Sequence, residues 1–277
     1  MANADDFELV RRDPDPIRRG RRATELMTVY QQRGTELARL RAEAIEEARK
    51  SGISLTEIAA QIGITKSRVS QIRTSAPPAE RAFFGVGPVA IGIPHRVGFE
   101  EGRERTFIDR SDQEVQQRLE AELDRLSLAT SMFPIKPHTE SVPDGDSIIV
   151  CGPKSAPVAR DLLRADASLS FERDDTGWWI VDAHTGQRHG SPYRQNSTEQ
   201  SDVGYLSRRI ENDRVIVHIA GITAIGSLGV AHWLATNLNT VYRPKNTFMS
   251  CAIACDFENE TTITDSRLIA GPYRIDQ

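Results

Sequence analysis

Two glycine-containing segments carry the residues that could bind an anion. Residues 152–155 (GPKS) follow the apolar run 147–151, and residues 221–229 (GITAIGSLG) follow the apolar run 215–220. Apolar runs of this length are typical of buried strands, and a loop between a strand and a helix offers free N–H groups and the positive end of the helix dipole. The pattern predicts a site for a small anionic or nucleotide-like ligand, formed by Gly152, Pro153, Lys154, Ser155, Gly221, Thr223, Gly226 and Ser227.

A second explanation accounts for the same glycines equally well. The spacing is that of neither a Walker loop nor G-x-G-x-x-G, and glycines beside a strand also allow a helix to pack tightly on a sheet. Catalytic patterns are absent from the sequence: the six histidines lack H-x-x-x-H spacing, and Ser155 and Ser227 lack a G-x-S-x-G motif. We predict no catalytic residue, no metal site and no cofactor, and we interpret His218 and the three cysteines as buried core residues.

A second set of candidate functional residues, mostly polar, lies in residues 54–73, SLTEIAAQIGITKSRVSQIR. Two short helices that cross steeply need a small residue at the crossing, here Ala59, and a turn residue that tolerates positive φ, here Gly63. Ser54 with Glu57 forms a capping box, and Thr65 is a good N-cap for the second helix. The buried contacts are predicted to come from Ile58, Ile62, Ile64, Val69 and Ile72.

This segment resembles the helix-turn-helix of bacterial transcription regulators and is especially similar to the promoter-reading end of sigma factors. The resemblance implies a second helix that enters the major groove of double-stranded DNA. In such a helix the residues that face base edges would be Thr65, Lys66, Ser67, Ser70 and Gln71. Arg68 and Arg73 would contact phosphates or a guanine edge. The basic cluster at residues 18–22 either adds contacts to the DNA backbone or is a solvated face.

Helical periodicity extends upstream of this motif. Residues 16–33 and 35–50 predict two amphipathic helices, the first with Ala23, Leu26, Met27 and Tyr30 on one face. Three prolines and two glycines interrupt the periodicity in residues 76–88. We therefore predict a helical DNA-binding domain at 1–76, a linker at 77–88 and a second domain at 89–277.

The second domain alternates strands with helices. Strands are predicted at 89–93, 147–151, 215–220 and 248–257, and helices at 111–126, opened by a capping box at Ser111 and Glu114, at 158–164 and at 230–238. A β-hairpin insertion is predicted from residues 169–171, residues 178–181 and a turn at 183–186. This alternation favours a mostly parallel sheet covered on both faces. The predicted fold class of the chain is therefore α+β with two domains, an all-α domain at the N-terminus and an α/β domain at the C-terminus.

The second half of the chain, with its two strand-loop-helix units, is also similar to the C-terminal domains of regulators from high-GC bacteria. It is loosely similar to Rossmann-like nucleotide-sensing domains. It departs from nucleotide-processing relatives because residues 230–232 (VAH) lack the acidic residue that those relatives place after the second glycine loop. The resemblance therefore implies binding without turnover.

Composition limits the class of protein. The longest apolar runs are well short of the ~18 residues that span a bilayer, and the N-terminus lacks the apolar segment of a secretory signal. Three cysteines, an odd number, do not form a disulfide framework. Residues 1–82 carry a net charge of +3 and residues 83–277 a net charge of −7. We expect a cytoplasmic protein without membrane contact, whose basic end approaches a polyanion.

These observations predict a transcription regulator, not an enzyme. Its helical domain binds double-stranded DNA, and its α/β domain senses a small-molecule effector. Because specific sites usually combine two reading modules, we expect a homodimer that forms through the α/β domain or the first long helix. Two alternatives remain open: a nucleotide- or nucleoside-processing enzyme with a helical interaction module, and a pure interaction protein. Acidic residues clustered in the cleft would favour the enzyme, and the two glycine loops contain none.

Overall fold

The N-terminal region is helical, as predicted. A computed structural model of the chain describes residues 4–100, 102–196 and 198–276. The first four helices are α1 (Ala4–Arg12), α2 (Pro16–Lys50), α3 (Leu55–Ile62) and α4 (Lys66–Ser75). The carboxylate of Asp15 starts α2 by accepting hydrogen bonds from the N–H groups of Ile17 and Arg18. None of the helices in the described ranges is long and apolar enough to cross a bilayer.

Helix α2 is continuous, so the prediction of two helices that break near residue 34 is wrong. Gly34 lies exposed in the middle of the helix. One exposed glycine costs a helix about 1 kcal/mol relative to alanine, which is too little to end it when both flanks are anchored. Gln32 and Arg39 are buried on either side of Gly34 and provide that anchoring.

The remainder of the chain is a mixed α/β body. Its helices are α5 (Arg110–Arg125), α6 (Pro157–Arg164), α7 (Pro192–Gln195) and α8 (Ala224–Val241). Its strands are β1 (Val89–Pro94), β2 (Arg96–Glu100), β3 (Arg103–Phe107), β4 (Thr130–Ile135), β5 (Asp146–Val150), β6 (Leu169–Asp174), β7 (Gly177–Asp182), β8 (Arg188–Gly190), β9 (Ser201–Glu211), β10 (Arg214–Gly221), β11 (Asn246–Asn259) and β12 (Thr262–Asp276).

A central seven-stranded sheet organises this body in the order β12-β11-β9-β10-β5-β1-β4. The pairings from β10 through β5 and β1 to β4 are parallel, whereas those of β9, β11 and β12 are antiparallel. Five of the seven strands therefore point the same way, which makes the sheet mostly parallel in direction. The predicted strand 248–257 belongs to β11, and it joins through antiparallel neighbours.

Each face of the sheet is covered. Ile148 and Val150 of β5 point into a core shared with α5 and α8, whereas Ile149 points to the opposite face, against α6. The two predicted strands pair antiparallel as β6 and β7, and the predicted turn at 183–186 joins β7 to a third strand, β8. This small sheet covers part of the α6 face of the central sheet, where Leu169 and Ile180 pack with β9 residues.

Two predicted helix starts in this body are wrong. Helix α5 is capped by Asp109, whose carboxylate accepts from the N–H of Ser111, because the chain turns two residues earlier than the predicted capping box requires. Helix α8 starts at Ala224 with Thr223 as its N-cap, not at residue 230. Most of the predicted second glycine loop is thus helix. A side chain at Gly226 would come within 2.2 Å of the Val203 carbonyl oxygen, so this glycine lets α8 approach β9.

The segment predicted as a linker, residues 77–88, is partly buried. It contains a short 3₁₀ helix, Ala79–Phe83, and the side chains of Arg81, Phe83 and Phe84 are fully buried. The Arg81 guanidinium donates to the carbonyls of Leu126 and Ser127 at 3.2 and 2.8 Å, and to Gln32 of α2 at 3.1 Å. The segment therefore attaches the middle of α2 to the α/β body.

Candidate functional site

The α3–α4 turn has the geometry that the sequence predicts. Gly63 has φ 73° and ends α3 in the left-handed conformation. The hydroxyl of Ser54 accepts from the N–H of Glu57 at 3.2 Å, and the hydroxyl of Thr65 accepts from the N–H of Arg68 at 3.1 Å. These bonds satisfy N–H groups at the start of each helix and fix the direction in which α4 leaves the turn.

A small core lies beneath the two helices. Ile58, Ala59, Val69 and Ile72 are buried against Ala42 and Ile45 of α2, and Ile64 is partly buried. The prediction that Ile62 is buried is wrong, since 47% of it is exposed. Ile62 is the last residue of α3, and the chain turns away at Gly63 before another element can cover it. The core therefore contacts only the inner face of α4, and this contact orients the helix.

The outer face of α4 is exposed and polar. The exposed residues are Thr65, Lys66, Ser67, Arg68, Ser70 and Gln71. Arg68 donates to the side-chain oxygen of Gln71 at 3.2 Å, which links two of the predicted base-reading residues. Arg73 instead pairs with Glu46 of α2. Of the seven predicted DNA-binding residues, six therefore form one accessible face and Arg73 lies at its edge, neutralised by a carboxylate.

The basic cluster at residues 18–22 is also partly neutralised. Arg18 and Arg22 form ion pairs with the buried carboxylate of Asp13 at 2.6 and 2.9 Å. Arg21 lies 4.0 Å from Glu25. The cluster helps to hold α1 and the start of α2 together.

The second candidate site is a cleft of about 370 Å³ at the carboxyl ends of β1, β5 and β10. Sheet order places it where the chain passes from β4, on one side of β1, to β5 on the other. Such a switch point is where open α/β sheets bind ligands. Its lining comprises Pro94, Arg96, Asp109, Ser111, Asp112, Val150, Cys151, Gly152, Lys154, Ser155, Tyr193, Arg194, Gly221, Ile222, Thr223, Ala224, Ile225, Ser227 and Glu260.

The structure brings most of the predicted ligand residues together at this cleft. Gly152, Lys154, Ser155, Gly221, Thr223 and Ser227 line it, whereas Pro153 is buried and Gly226 packs on β9. The hydroxyl of Ser227 accepts from the N–H of Gly221 at 2.8 Å, so it serves the fold. Lys154 and Ser155 are the predicted residues with side-chain groups accessible from the cleft.

The start of α8 already holds an anion from the chain itself. The buried carboxylate of Asp202 accepts from the N–H of Gly226 at 2.9 Å, from the N–H of Thr223 at 3.3 Å and from the Thr223 hydroxyl. Burial raises the pKa of Asp202, and these hydrogen bonds oppose the rise. Two of the N–H groups at this helix terminus, those of Thr223 and Gly226, are therefore already engaged, which leaves the side chains of the cleft as the main donors for an anion.

Three cationic side chains supply that capacity. Lys154, Arg96 and Arg194 line the cleft. The Lys154 ammonium donates to the Ile222 carbonyl at 3.2 Å and lies 5.7 Å from the centre of the Trp178 ring. Partial desolvation lowers the pKa of Lys154, and the guanidinium groups of Arg194 and Arg96 lower it further. The lysine thus sits in a positive local field.

Acidic residues line the opposite part of the cleft. Asp109 and Asp112 come from the start of α5, and Glu260 comes from the turn between β11 and β12. Arg96 pairs with Asp112 at 3.1 Å and lies 3.8 Å from Asp109. Burial raises the pKa of Asp112 to about 6. The sequence analysis found no acidic residue in the two glycine loops, but it did not consider the rest of the cleft. The fold brings these acids to the loops from distant segments, so no local sequence pattern connects them.

The remaining candidate groups are structural. The Nε2–H of His218 donates to the Cys151 carbonyl at 2.8 Å, and burial lowers the pKa of His218 to about 4. All three cysteines are buried, and burial raises the pKa of Cys151 and Cys255 to about 12. Within the described ranges, no group of three or more His, Cys, Asp or Glu residues is arranged to hold a metal ion.

Comparison with known proteins adds no relative. No protein-family model matches the chain, and a search of curated protein sequences finds no match. The site must therefore be interpreted from its own geometry.

Proposed function

We propose that this protein is a sequence-specific DNA-binding transcription regulator whose α/β body binds a small effector. The observation that carries the proposal is the exposed polar face of α4, presented by a turn with a left-handed glycine and two capped helices. A plain helical hairpin needs no such run of hydrogen-bonding side chains on its outer surface. Six exposed polar residues within positions 65–71 match what a groove-binding helix requires.

In this proposal α4 enters the major groove with its N-terminal end. Lys66 and Arg68 contact phosphates or a guanine edge, and Gln71, oriented by Arg68, reads an adenine edge. Thr65, Ser67 and Ser70 supply shorter hydrogen-bonding groups. The body is a Rossmann-like domain, a proposal supported by the parallel order β4-β1-β5-β10 and by the cleft at its switch point.

The regulator acts as a homodimer, and a second copy is the proposed occupant of an exposed apolar stripe on α2. Tyr30, Leu37 and Leu40 are 38%, 67% and 44% exposed. Tyr30 and Leu37 are seven residues apart, and Leu37 and Leu40 are three apart, which is the spacing of residues that face a partner helix in a coiled coil. Met27, 62% exposed, extends the stripe towards α1. Pairing of two α2 helices buries these side chains and places two α4 helices on one DNA duplex.

DNA binding is tested by an anisotropy titration against a duplex selected from a random pool. We expect Lys66→Ala with Arg68→Ala to weaken binding by at least tenfold and to reduce its salt dependence, because two phosphate or base contacts are lost. The control is Lys245→Ala with Arg243→Ala, two exposed cations on the body, which changes the net charge equally. Equal binding by both double variants would refute the assignment of α4.

A second candidate function is favoured by one observation in the cleft. Asp112 is buried beside Arg96 and has a raised pKa, a combination typical of general acids. In this alternative the body is an enzyme acting on a nucleotide or nucleoside. Incubation with nucleotides followed by chromatography distinguishes the two functions: consumption that disappears in Asp112→Asn supports the enzyme, and unchanged substrate supports the sensor.

A further inference from the structure

Two cations that line the cleft, Lys154 and Arg194, form no ion pair with a carboxylate among the described residues. The same is true of Arg173, an exposed residue outside the lining. Lys154 instead donates to a backbone carbonyl, and both Lys154 and Arg173 lie within 6.0 Å of the centre of the Trp178 ring. The guanidinium groups of Arg194, Arg96 and Arg173 disfavour the charged form of Lys154, and the carboxylate of Asp202 favours it. An anion beside Lys154 and Arg194 adds to this favourable charge.

Arg96 provides a second, independent observation. Its guanidinium pairs with Asp112 at 3.1 Å and lies 3.8 Å from Asp109, yet 40% of the side chain is exposed. Since Arg96 lines the cleft, its exposed N–H groups can also donate to an oxygen-rich anion there. The donors from Arg96, Lys154 and Arg194 suit the several oxygens of a phosphate better than the two of a carboxylate.

The other side of the cleft suits hydroxyl groups. Asp109 and Glu260 line it and can accept hydrogen bonds from a polyol. The Ser111 hydroxyl donates to the Glu260 carbonyl at 2.8 Å and holds the β11–β12 turn at the mouth of the cleft. A bare phosphate leaves these carboxylates unused, and a volume of about 370 Å³ has room for more than one phosphate group.

We propose that the cleft binds a sugar phosphate, either free or as the sugar-phosphate part of a mononucleotide. The phosphate lies against Lys154, Arg194 and Arg96, and the sugar hydroxyls lie against Asp109 and Glu260. This inference rests on the proposed sensor function and names the chemistry of its effector. It assigns anion binding to side chains and not to the start of α8, where Asp202 already engages the N–H groups of Thr223 and Gly226.

Isothermal titration of the full chain with four compounds tests this assignment: ribose 5-phosphate, adenosine 5′-monophosphate, inorganic phosphate and ribose. We expect ribose 5-phosphate to bind, ribose not to bind detectably and inorganic phosphate to bind at least tenfold more weakly. The ratio of affinities for the nucleotide and the free sugar phosphate separates the two sources. Trp178, beside Lys154, reports binding by a change in fluorescence that is absent in Trp178→Phe.

Variants distinguish the two ends of the ligand. Lys154→Ala and Arg194→Ala should each weaken ribose 5-phosphate by at least tenfold, whereas the exposed controls Lys245→Ala and Arg243→Ala should not. Asp109→Asn should weaken ribose 5-phosphate without weakening inorganic phosphate. Thermal unfolding of each variant checks that the fold is intact.

The inference is overturned if no phosphate compound binds, or if binding is unaffected by both Lys154→Ala and Arg194→Ala. Its failure is separable from that of the proposed function. Loss of DNA binding in Lys66→Ala with Arg68→Ala, together with no binding of phosphate compounds, rejects the effector chemistry and keeps the DNA-binding regulator. Binding of ribose 5-phosphate by a chain that binds no DNA keeps the cleft and rejects the regulator.

Discussion

His218 and Asp112 are titratable groups, buried by the fold, whose contributions to stability change oppositely with pH. Burial lowers the pKa of His218 to about 4 from its ordinary 6.5. The unfolded chain therefore binds more protons than the folded chain between these values, and stability falls as pH drops from about 6.5 to about 4. A displacement of this size corresponds to about 3 kcal/mol. Burial raises the pKa of Asp112 to about 6 from 3.8, so its contribution is lost as pH rises through about 6.

We predict that His218→Gln removes the acid-sensitive part of this dependence. Glutamine keeps a donor for the Cys151 carbonyl and has no proton to take up. Urea unfolding of the wild type and the variant at pH 7.5 and pH 5 measures the change. The difference in unfolding free energy between the two proteins should shift in favour of the variant by about 2 kcal/mol on going to pH 5. An equal loss in both proteins would show that His218 is not the group responsible.

Whether a residue's role can be predicted from sequence depends on how far away its partners lie. Ser54, Gly63 and Thr65 act on neighbours within three or four residues, and their caps and turn were predicted correctly. Arg96, Asp112 and Arg194 line one cleft only because the fold brings β2, α5 and α7 to the same edge of the sheet. Ile62 was predicted to be buried because its spacing is helical, but burial also needs an element to cover it.

At the scale of elements, the α3–α4 turn is specified by one glycine. Gly63→Val forces a β-branched residue to φ 73°, which costs on the order of 1–3 kcal/mol. We expect reduced helix content by circular dichroism and loss of DNA binding. Gly34→Ala is the matched control, since Gly34 is helical and exposed. That change should stabilise the protein by about 1 kcal/mol. A Gly63→Val variant with native helix content would show that the turn adapts without glycine.

Gly226 of α8 is tested in the same way. Gly226→Val places side-chain atoms against the Val203 backbone of β9, and we expect a loss of on the order of 3 kcal/mol or more in thermal or urea unfolding. Gly152→Ala meets the Gly221 carbonyl oxygen at an ordinary 3.6 Å and should leave stability nearly unchanged. If both variants unfold alike, close packing is not what requires glycine at residue 226.

The strands that sequence predicts are those with continuous apolar runs. β1, β5, β10 and β11 lie centrally in the sheet and were predicted from such runs. β9 was missed although it is central, because it buries Ser207, Arg208 and Arg209, which interrupt the apolar pattern. Arg208 is satisfied by the carbonyls of Ala82, Phe83 and Asn246. A buried arginine of this kind is indistinguishable from a surface residue until its partners are placed.

At the scale of the whole molecule, the segment after α4 determines how the two parts are joined. Proline and glycine in residues 77–88 predicted a linker, since both residues interrupt helices. They do not by themselves imply exposure, and Arg81 connects this segment with both α2 and the α5–β4 turn. These buried hydrogen bonds couple the position of α2, and with it that of α4, to the body.

In the proposed homodimer, pairing through α2 is what allows two α4 helices to bind one duplex together. We predict that Leu37→Glu with Leu40→Glu converts the dimer to a monomer. Burial of these leucines in both copies is worth at least about 3 kcal/mol, and its loss weakens association roughly 100-fold or more. Light scattering at micromolar concentration measures the mass, and Thr24→Glu, at an exposed polar position of α2, is the control. The variant should bind a single half-site as the wild type does but lose the advantage of a paired site, since each α4 remains intact. A wild-type chain that is monomeric both free and on DNA would contradict the dimer. A variant that stays dimeric would move the interface from α2 to the α/β body.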